Sequence, residues 1–333
     1  MKSFSNIEEI FEAYNHLKVL IIGDVMIDSY ISGAVERISP EAPVPVVLVN
    51  SKEDRLGGAA NVALNIKAMG ATPLLCSVIG EDRQGDLFLR LMANQTLSNE
   101  GIIRSNNKVT TVKTRIMANK HQMLRIDEED ENSLNNDERS RLMEKIKSLI
   151  NDRIDVIIFE DYDKGTIDKI LIDEIVAMAS AKNIPIAVDP KKRNFNDYIN
   201  VALFKPNLKE LKDGLKTEIN KTNVESLMKA GAILHNERQI NMVMITLSEE
   251  GVFMSNGQLQ EIFPAHIRNI VDVSGAGDTV ISVAALCLAL GLSPRIIGIL
   301  SNLSGGLVCE KAGVVPIDKS QLLEEAKLMP LFD

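Results

Sequence analysis

The 333-residue sequence predicts an α/β fold: a doubly wound, mostly parallel sheet with a small β-sheet lid, in one domain spanning 1–333. Three observations predict it. Apolar runs recur along the chain and each ends in Gly, Asp, Asn or Ser, as strands buried on both faces do. Helical periodicity follows these runs, and strand-helix alternation of this kind gives a parallel sheet. Two segments, 29–55 and 108–130, instead alternate in the β manner with no helix between their strands.

The elements follow in order. Ser5-Asn6-Ile7-Glu8 resembles a capping box opening a short amphipathic helix to about Leu17. KVLIIGD is the first strand. In segment 29–55, prolines at 40, 43 and 45 suit edge or irregular strands. AANVALNIKAMG is a helix and TPLLCSVIG a strand. Segment 108–130 joins 29–55 in a small antiparallel sheet, for which an edge extension and a lid over the rim fit the pattern equally. DEEDENSLNNDE reads as a solvated loop and helix start. ERSRLMEKIKSLI and DEIVAMASAKN are helices, and DVIIFEDYDKG, IPIAVDP, VALFKPN and MVMITLSEEG carry strands. Ligands of such sheets bind beyond the carboxyl ends of the strands, so Asp24, Asp161, Asp189 and Asn207 point toward one rim.

Composition narrows the function. A formal charge of −9 argues against a nucleic-acid or anionic-membrane binder, which needs clustered Lys and Arg. Cys76, Cys287 and Cys309 sit in apolar segments without metal-ligand spacing and read as reduced core residues. With no signal-type block and no membrane-length apolar run, a cytoplasmic protein is expected. The four histidines are scattered, against a His-ligated zinc site.

The chemistry concentrates in VDVSGAGDTVISVAALCLALG. Gly275, Ala276 and Gly277 before a helix leave backbone N–H groups free at its N-terminus, where they and the helix dipole attract anions. Asp278 would repel a resting phosphate. It makes sense there as a general base, taking a proton from a substrate hydroxyl while the N–H groups stabilise a transferring phosphoryl group. A capping aspartate after a glycine turn explains the same residues. The stretch is no dinucleotide fingerprint, and no GxxxxGK[ST] loop occurs.

Context adds to this. Asp272-Val273-Ser274-Gly275-Ala276-Gly277-Asp278-Thr279 resembles the C-terminal signature of the ribokinase-like (PfkB) sugar kinases. Gly57-Gly58-Ala59-Ala60-Asn61-Val62-Ala63 resembles their N-terminal signature, and Lys205-Pro206-Asn207-Leu208-Lys209-Glu210 their Asn-x-x-Glu motif. The three stand in order, and the resemblance covers nearly the whole chain. Within the family, GDVMIDSY, RISPEAPVPVV, LGGAANVALNI, KTRIMANKHQMLRID and DYDKG look like the D-glycero-β-D-manno-heptose-7-phosphate kinases. The stretch from Ile38 to Val46 is the most distinctive. Glu160 departs from the small residue usual before Asp-Tyr. Some relatives carry a fused nucleotidyltransferase domain with an HxGH motif; none of the histidines here forms one, so adenylyl transfer is expected to be absent.

The resemblance implies ATP-dependent transfer to a sugar hydroxyl, with Asp278 as base and Gly275, Ala276 and Gly277 as anion hole. Asn207 and Glu210 would organise Mg²⁺ and its waters; a capping box explains that pair as well. Asn207, Thr246, Ser248 and Gly251 would bind the nucleotide, Ser248 standing where many family members have the middle glycine of Thr-x-Gly-x-x-Gly. Asp24 and Asp28 would accept hydrogen bonds from sugar hydroxyls, with Gly57, Gly58 and Asn61 against the sugar. A strand-end turn explains Asp24 too. Asp272 and Ser274 would help bind a monovalent cation such as K⁺, where an Asp-Ser turn is the other reading. A substrate already carrying a phosphate needs a second basic site. Arg115, Arg125, Lys164 and Lys191 are the candidates, Arg115 and Lys164 foremost. The implied lid would close over the sugar to exclude water and pair between two subunits in a homodimer. Other PfkB kinases acting on ribose, fructose or a fructose phosphate are the rival reading, and a non-catalytic sugar-phosphate sensor is another.

Overall fold

The computed structural model describes residues 4–118 and 121–331, so residues 119 and 120 of the expected 108–130 segment lie outside the described residues. In chain order the strands are β1 (Lys18–Gly23), β2 (Val25–Ile38), β3 (Pro45–Gly58), β4 (Thr72–Gly80), β5 (Ile102–Ser105), β6 (Val112–Ala118), β7 (His121–Glu128), β8 (Val156–Glu160), β9 (Ile186–Asp189), β10 (Leu203–Phe204), β11 (Met242–Thr246), β12 (Val252–Ser255) and β13 (Gln260–Phe263). The helices are α1 (Ile7–Ala13), α2 (Ala59–Ala68), α3 (Arg83–Asn94), α4 (Asn136–Asn151), α5 (Lys169–Lys182), α6 (Leu208–Leu215), α7 (Val224–Arg238), α8 (Ala276–Ala289), α9 (Pro294–Val308) and α10 (Lys319–Ala326).

Among the described residues, nine strands form the main sheet in the order β13-β12-β11-β10-β9-β8-β1-β4-β5. It is parallel except at β12 and β13, a short antiparallel hairpin that the apolar-run pattern does not reveal. Both faces are covered. Val19, Ile21, Val156 and Ile158 pack into a core with α2, α8 and α9. Leu20, Ile22, Ile157 and Phe159 pack into a second core with α4, α5 and α7. Burial on both sides is why the central strands read as unbroken apolar runs.

The strand order reverses between β1 and β8, which pair in parallel with Gly23 opposite Glu160. In open α/β sheets the crevice beyond such a switch point is where ligands bind. The smaller sheet, order β3-β2-β6-β7, overhangs that crevice. Its segments are those expected, but it is not purely antiparallel, since β2 and β6 run parallel. The reason is topological. β2 continues from β1 and β6 follows β5, and both excursions leave the same carboxyl rim in the same direction.

Local corrections are small. The first helix is capped by Asn6, which accepts from Glu9 N at 2.9 Å, so the cap lies one residue beyond the expected Ser5. The VALFKPN strand shrinks to Leu203 and Phe204. No helix among the described residues is long and apolar enough to cross a membrane.

Candidate active site

Asp278 lies in the first turn of α8, with Gly275 as N-cap at φ +79°, a left-handed conformation that favours glycine. The Ala276 N–H turns back to Val273 O at 3.3 Å. The N–H groups of Gly277 and Asp278 belong to the open first turn, which has no intrahelical acceptors for them. The anion hole is therefore narrower than the glycine run suggested: Gly275 shapes the turn and Ala276 donates within it.

The Asp278 carboxylate is 4% exposed and held by two donors. Asn61 Nδ2 donates to Oδ2 at 2.7 Å and the Tyr162 hydroxyl to Oδ1 at 2.7 Å. Burial pushes its pKa up to about 6, against the lowering effect of these two hydrogen bonds; Asp189 raises it further and Lys205 lowers it. Such a carboxylate is ionised at neutral pH yet basic enough to accept a proton. Tyr162 is pushed well above the usual phenol range by burial and by Asp278, so it stays a donor. Asn61, expected against the sugar, instead orients the base. Asn65 ties the same region together: its Oδ1 accepts from Thr279 Oγ1 at 3.1 Å and from Ile317 N at 2.9 Å.

Beside this turn lies a buried ion pair. Lys205 Nζ stands 2.8 Å from Asp189 Oδ2, and a Cβ on Gly277 would lie 3.7 Å from Lys205 Nζ. Although burial works against it, the Lys205 ammonium is held above its usual range by Asp189 and Glu210. Beneath them Glu160 is 0% exposed, and neither of its oxygens has a partner. Burial, with Asp189 and Asp278 nearby, pushes Glu160 well above the usual carboxyl range, which favours its neutral form.

A cavity of about 660 Å³ opens onto Ala276 and Gly277 and is lined by Thr246, Ser248 and Gly251 among others. Of the four residues expected to bind nucleotide, Thr246, Ser248 and Gly251 thus share one cavity that reaches Ala276 and Gly277 at the start of α8, and Asn207 does not line it. Asn207 bridges to Thr246 in parallel fashion and caps α6 in a full capping box. Its side chain accepts from Glu210 N at 2.9 Å, and Glu210 Oε2 accepts from Asn207 N at 2.8 Å. Glu210 also pairs with Lys191. Among the described residues no group of three or more His, Cys, Asp or Glu is arranged to hold a metal ion. With their oxygens so engaged, Asn207 and Glu210 fit Mg²⁺ only through its waters, the manner in which that ion binds beside phosphates.

Several expected roles change. Asp24 is 1% exposed, and its oxygens accept from the backbone N–H groups of Tyr162, Lys164 and Thr166 at 2.9, 3.0 and 2.9 Å. It fastens loop 161–166 to β1 and is not presented to a sugar. Asp272 accepts from Ser274 N and Gly313 N, each at 2.9 Å, so the Asp-Ser pair makes a turn and nothing in its geometry singles out a cation. Gly57 lets β3 pass close to Asp28, whose Oδ2 would lie 2.1 Å from an added Cβ, and Gly58 enters α2 at φ +59°. Asp28 is bound by Arg115, which neutralises both. Lys164 pairs with Glu129 and Glu131 at 2.9 Å each. The acidic stretch is thus not merely solvated. Arg125 is half exposed and pairs with Asp127. Sequence pattern assigns no chemical role to Tyr162, Lys205 or Asp189, though Tyr162 and Lys205 stand inside DYDKG and KPN, and nothing local distinguishes Lys113 from its neighbours.

A family model described as pfkB family carbohydrate kinase matches residues 16–320. The chain is 38% identical over 307 residues to the bifunctional protein HldE of Methylobacillus flagellatus, covering 92% of this chain and 62% of that protein. It is 37% identical over 297 residues to the protein of the same name in Helicobacter pylori strain P12, covering 89% and 64%. The chain therefore spans less than two thirds of these curated relatives. In fold it is similar to Escherichia coli phosphofructokinase-2 in complex with fructose-6-phosphate, with a TM-score of 0.76 at 17% identity over 93% of this chain and 98% of that one. It is also similar to Arabidopsis thaliana ribokinase complexed with ribose and ATP, with a TM-score of 0.69 at 15% identity over 92% and 98%.

Proposed function

The chain belongs to the pfkB family of carbohydrate kinases, and from that premise we propose that it transfers the γ-phosphoryl group of ATP to the anomeric hydroxyl of D-glycero-β-D-manno-heptose 7-phosphate. The observation that carries the transfer chemistry is Asp278, buried, held by Asn61 and Tyr162, and next in sequence to Gly277, which lines the cavity shared with Thr246. Asp278 takes the hydroxyl proton. The freed oxygen bonds to the γ-phosphorus as the bond to the β-phosphate oxygen breaks, and ADP leaves. Asp278 then loses the proton to solvent. The first-turn N–H groups of α8 and the Lys205 ammonium meet the charge that develops on the phosphoryl oxygens. A positioned base is worth about 10²–10⁴ in rate. Mg²⁺ bound to the ATP phosphates would supply charge neutralisation, with Asn207 and Glu210 meeting it through water.

The choice of sugar rests on the sequence from Ile38 to Val46 and on the relatives named HldE. One assay tests it: ATP consumption with heptose 7-phosphate beside ribose, fructose and fructose 6-phosphate. Turnover of heptose 7-phosphate alone supports the reading. Turnover only of another sugar assigns a different kinase, and binding without turnover of any sugar assigns a sensor.

The same reading includes a homodimer through the smaller sheet, in the cytoplasm. Ile38, Val44, Leu48 and Val49 around β2 and β3, with Met123, Leu124 and Ile126 on β7, are exposed apolar residues that a second copy would cover. Sedimentation velocity of the wild type against Leu48→Lys/Leu124→Lys tests that part.

A further inference from the structure

Four basic residues were candidates for a phosphate already on the sugar, and each is neutralised by a carboxylate: Arg115 by Asp28, Arg125 by Asp127, Lys191 by Glu210 and Lys164 by Glu129 and Glu131. Lys113, on β6, differs. It is half-buried and has no ion-pair partner among the described residues, and its Nζ stands 5.7 Å from the centre of the Tyr162 ring. Tyr162 is the residue that donates to Asp278, so one aromatic ring separates Lys113 from the base. In register, Lys113 lies opposite Asp28 on β2 and Asp127 on β7, and it feels the charge of Lys164. Burial, with the Lys164 charge, lowers its pKa despite Glu129, Asp127 and Asp28. An unpaired, partly desolvated ammonium at a substrate cleft is a group waiting for an anion.

The acidic stretch bears on the same spot. Glu129 and Glu131 both hold Lys164 Nζ, Asp130 lies 3.7 Å from Lys108, and Glu131 O accepts from Arg193 at 2.7 Å. Two carboxylates converging on one ammonium present anionic oxygens much as a phosphate would.

We infer that Lys113 and Lys164 form the subsite for the phosphate borne by the sugar, and that Glu129 and Glu131 occupy Lys164 while the subsite is empty of substrate. This rests on the proposed phosphorylated substrate. Binding then exchanges the two glutamates for phosphate oxygens at Lys164, while Lys113 gains its first anionic partner. A sugar lacking the phosphate leaves Lys113 unpaired and Lys164 still held by the strap, which is how the site would discriminate.

The test compares wild type with Lys113→Gln, Lys113→Arg and the double variant Glu129→Gln/Glu131→Gln. Two quantities are read: KM and kcat for heptose 7-phosphate, and binding of inorganic phosphate by calorimetry. Removing one charge-assisted hydrogen bond to a phosphate raises KM by about tenfold or more. Lys113→Gln is expected to show that rise with kcat much less affected, and to lose inorganic phosphate binding. Lys113→Arg is expected to recover most of both, and the double glutamate variant to bind inorganic phosphate more tightly. An unchanged KM and phosphate affinity in Lys113→Gln would overturn the assignment, and unchanged affinity in the double variant would remove Lys164 from it. If the wild type turns over only unphosphorylated sugars, the proposed function fails by itself. The inorganic phosphate titration then still decides the subsite: weaker binding by Lys113→Gln supports it, and equal or absent binding refutes it.

Discussion

Replacing Asp278 with Asn should abolish most activity while making the stability difference from wild type depend on pH. Burial and Asp189 raise the Asp278 pKa from 3.8 to about 6 in the folded chain. Between those values the native state keeps a proton that the unfolded state has released, so stability falls as pH rises through this window. The difference of about two pH units corresponds to about 3 kcal/mol, absent below about pH 4 and fully present above about pH 6. Asparagine does not titrate and escapes this penalty. It also turns an amide donor toward Asn61 or Tyr162, which costs about 1–3 kcal/mol at every pH. That second effect is constant, so the informative quantity is the pH dependence of the stability difference. Urea unfolding followed by circular dichroism suits a chain without Trp. The variant's stability relative to wild type should climb by about 3 kcal/mol from pH 4 to pH 7. Turnover at pH 7 should drop at least about a hundredfold. A stability difference that stays flat across that range would refute the raised pKa, and near-wild-type turnover would refute the base.

Tyr162→Phe removes one of the two hydrogen bonds that favour the charged form of Asp278. The acidic limb of the pH–rate profile, set near 6 in the wild type, should move up by about one unit or more; a stationary limb would show that the phenol does not hold the base. Lys205→Met strands Asp189 in the interior, and thermal or urea unfolding should show a loss of about 3–5 kcal/mol. A loss under about 1 kcal/mol would mean that water reaches the pair. Glu160→Gln replaces a buried acid, whose neutral form is favoured, with an amide that is always neutral. Turnover at pH 7 should persist, and because the wild type alone loses stability as pH rises above the ordinary carboxyl range, the variant's relative stability should increase with pH. Parallel stability curves would show that Glu160 is not held neutral.

Much of the fold was legible because burial on both faces leaves an unmistakable record. Strands such as 156–160 and 242–246 run apolar for four residues before a polar residue at the carboxyl end, and the helices beside them carry their own period. What escaped was short or set by partners far along the chain. β5 is only Ile102–Ser105 with Arg104 in it, and β12 and β13 are four-residue strands, β13 at the sheet edge, joined through a turn that begins at Asn256. The parallel pairing of β2 with β6 depends on where two separate excursions leave the rim, which no local pattern records. The site divides in the same way. The glycine run and Asp278 announce themselves locally. Asn61 reaches Asp278 from 217 residues away and Tyr162 from 116, so neither partner is visible as such in the motif that contains it.

Asp24 and Asp278 show what the missing information is. Both are strand- or helix-end carboxylates beside glycine, both are buried, and both read as candidates for contact with substrate. Asp24 meets three backbone N–H groups of loop 161–166, which satisfy its charge and fix it as a fastener. Asp278 meets only two side-chain donors, faces Asp189 nearby, and shares its turn with N–H groups that have no acceptor within the helix. Its charge is therefore incompletely compensated, and a proton from a hydroxyl brought to that turn relieves it. The same criterion ranks the cations: Arg115 is answered by Asp28 and Lys164 by two glutamates that a phosphate would have to displace, whereas Lys113 has no carboxylate partner among the described residues. Residue type and place nominate a group for chemistry, but what decides it is how much of its charge the fold has left unanswered.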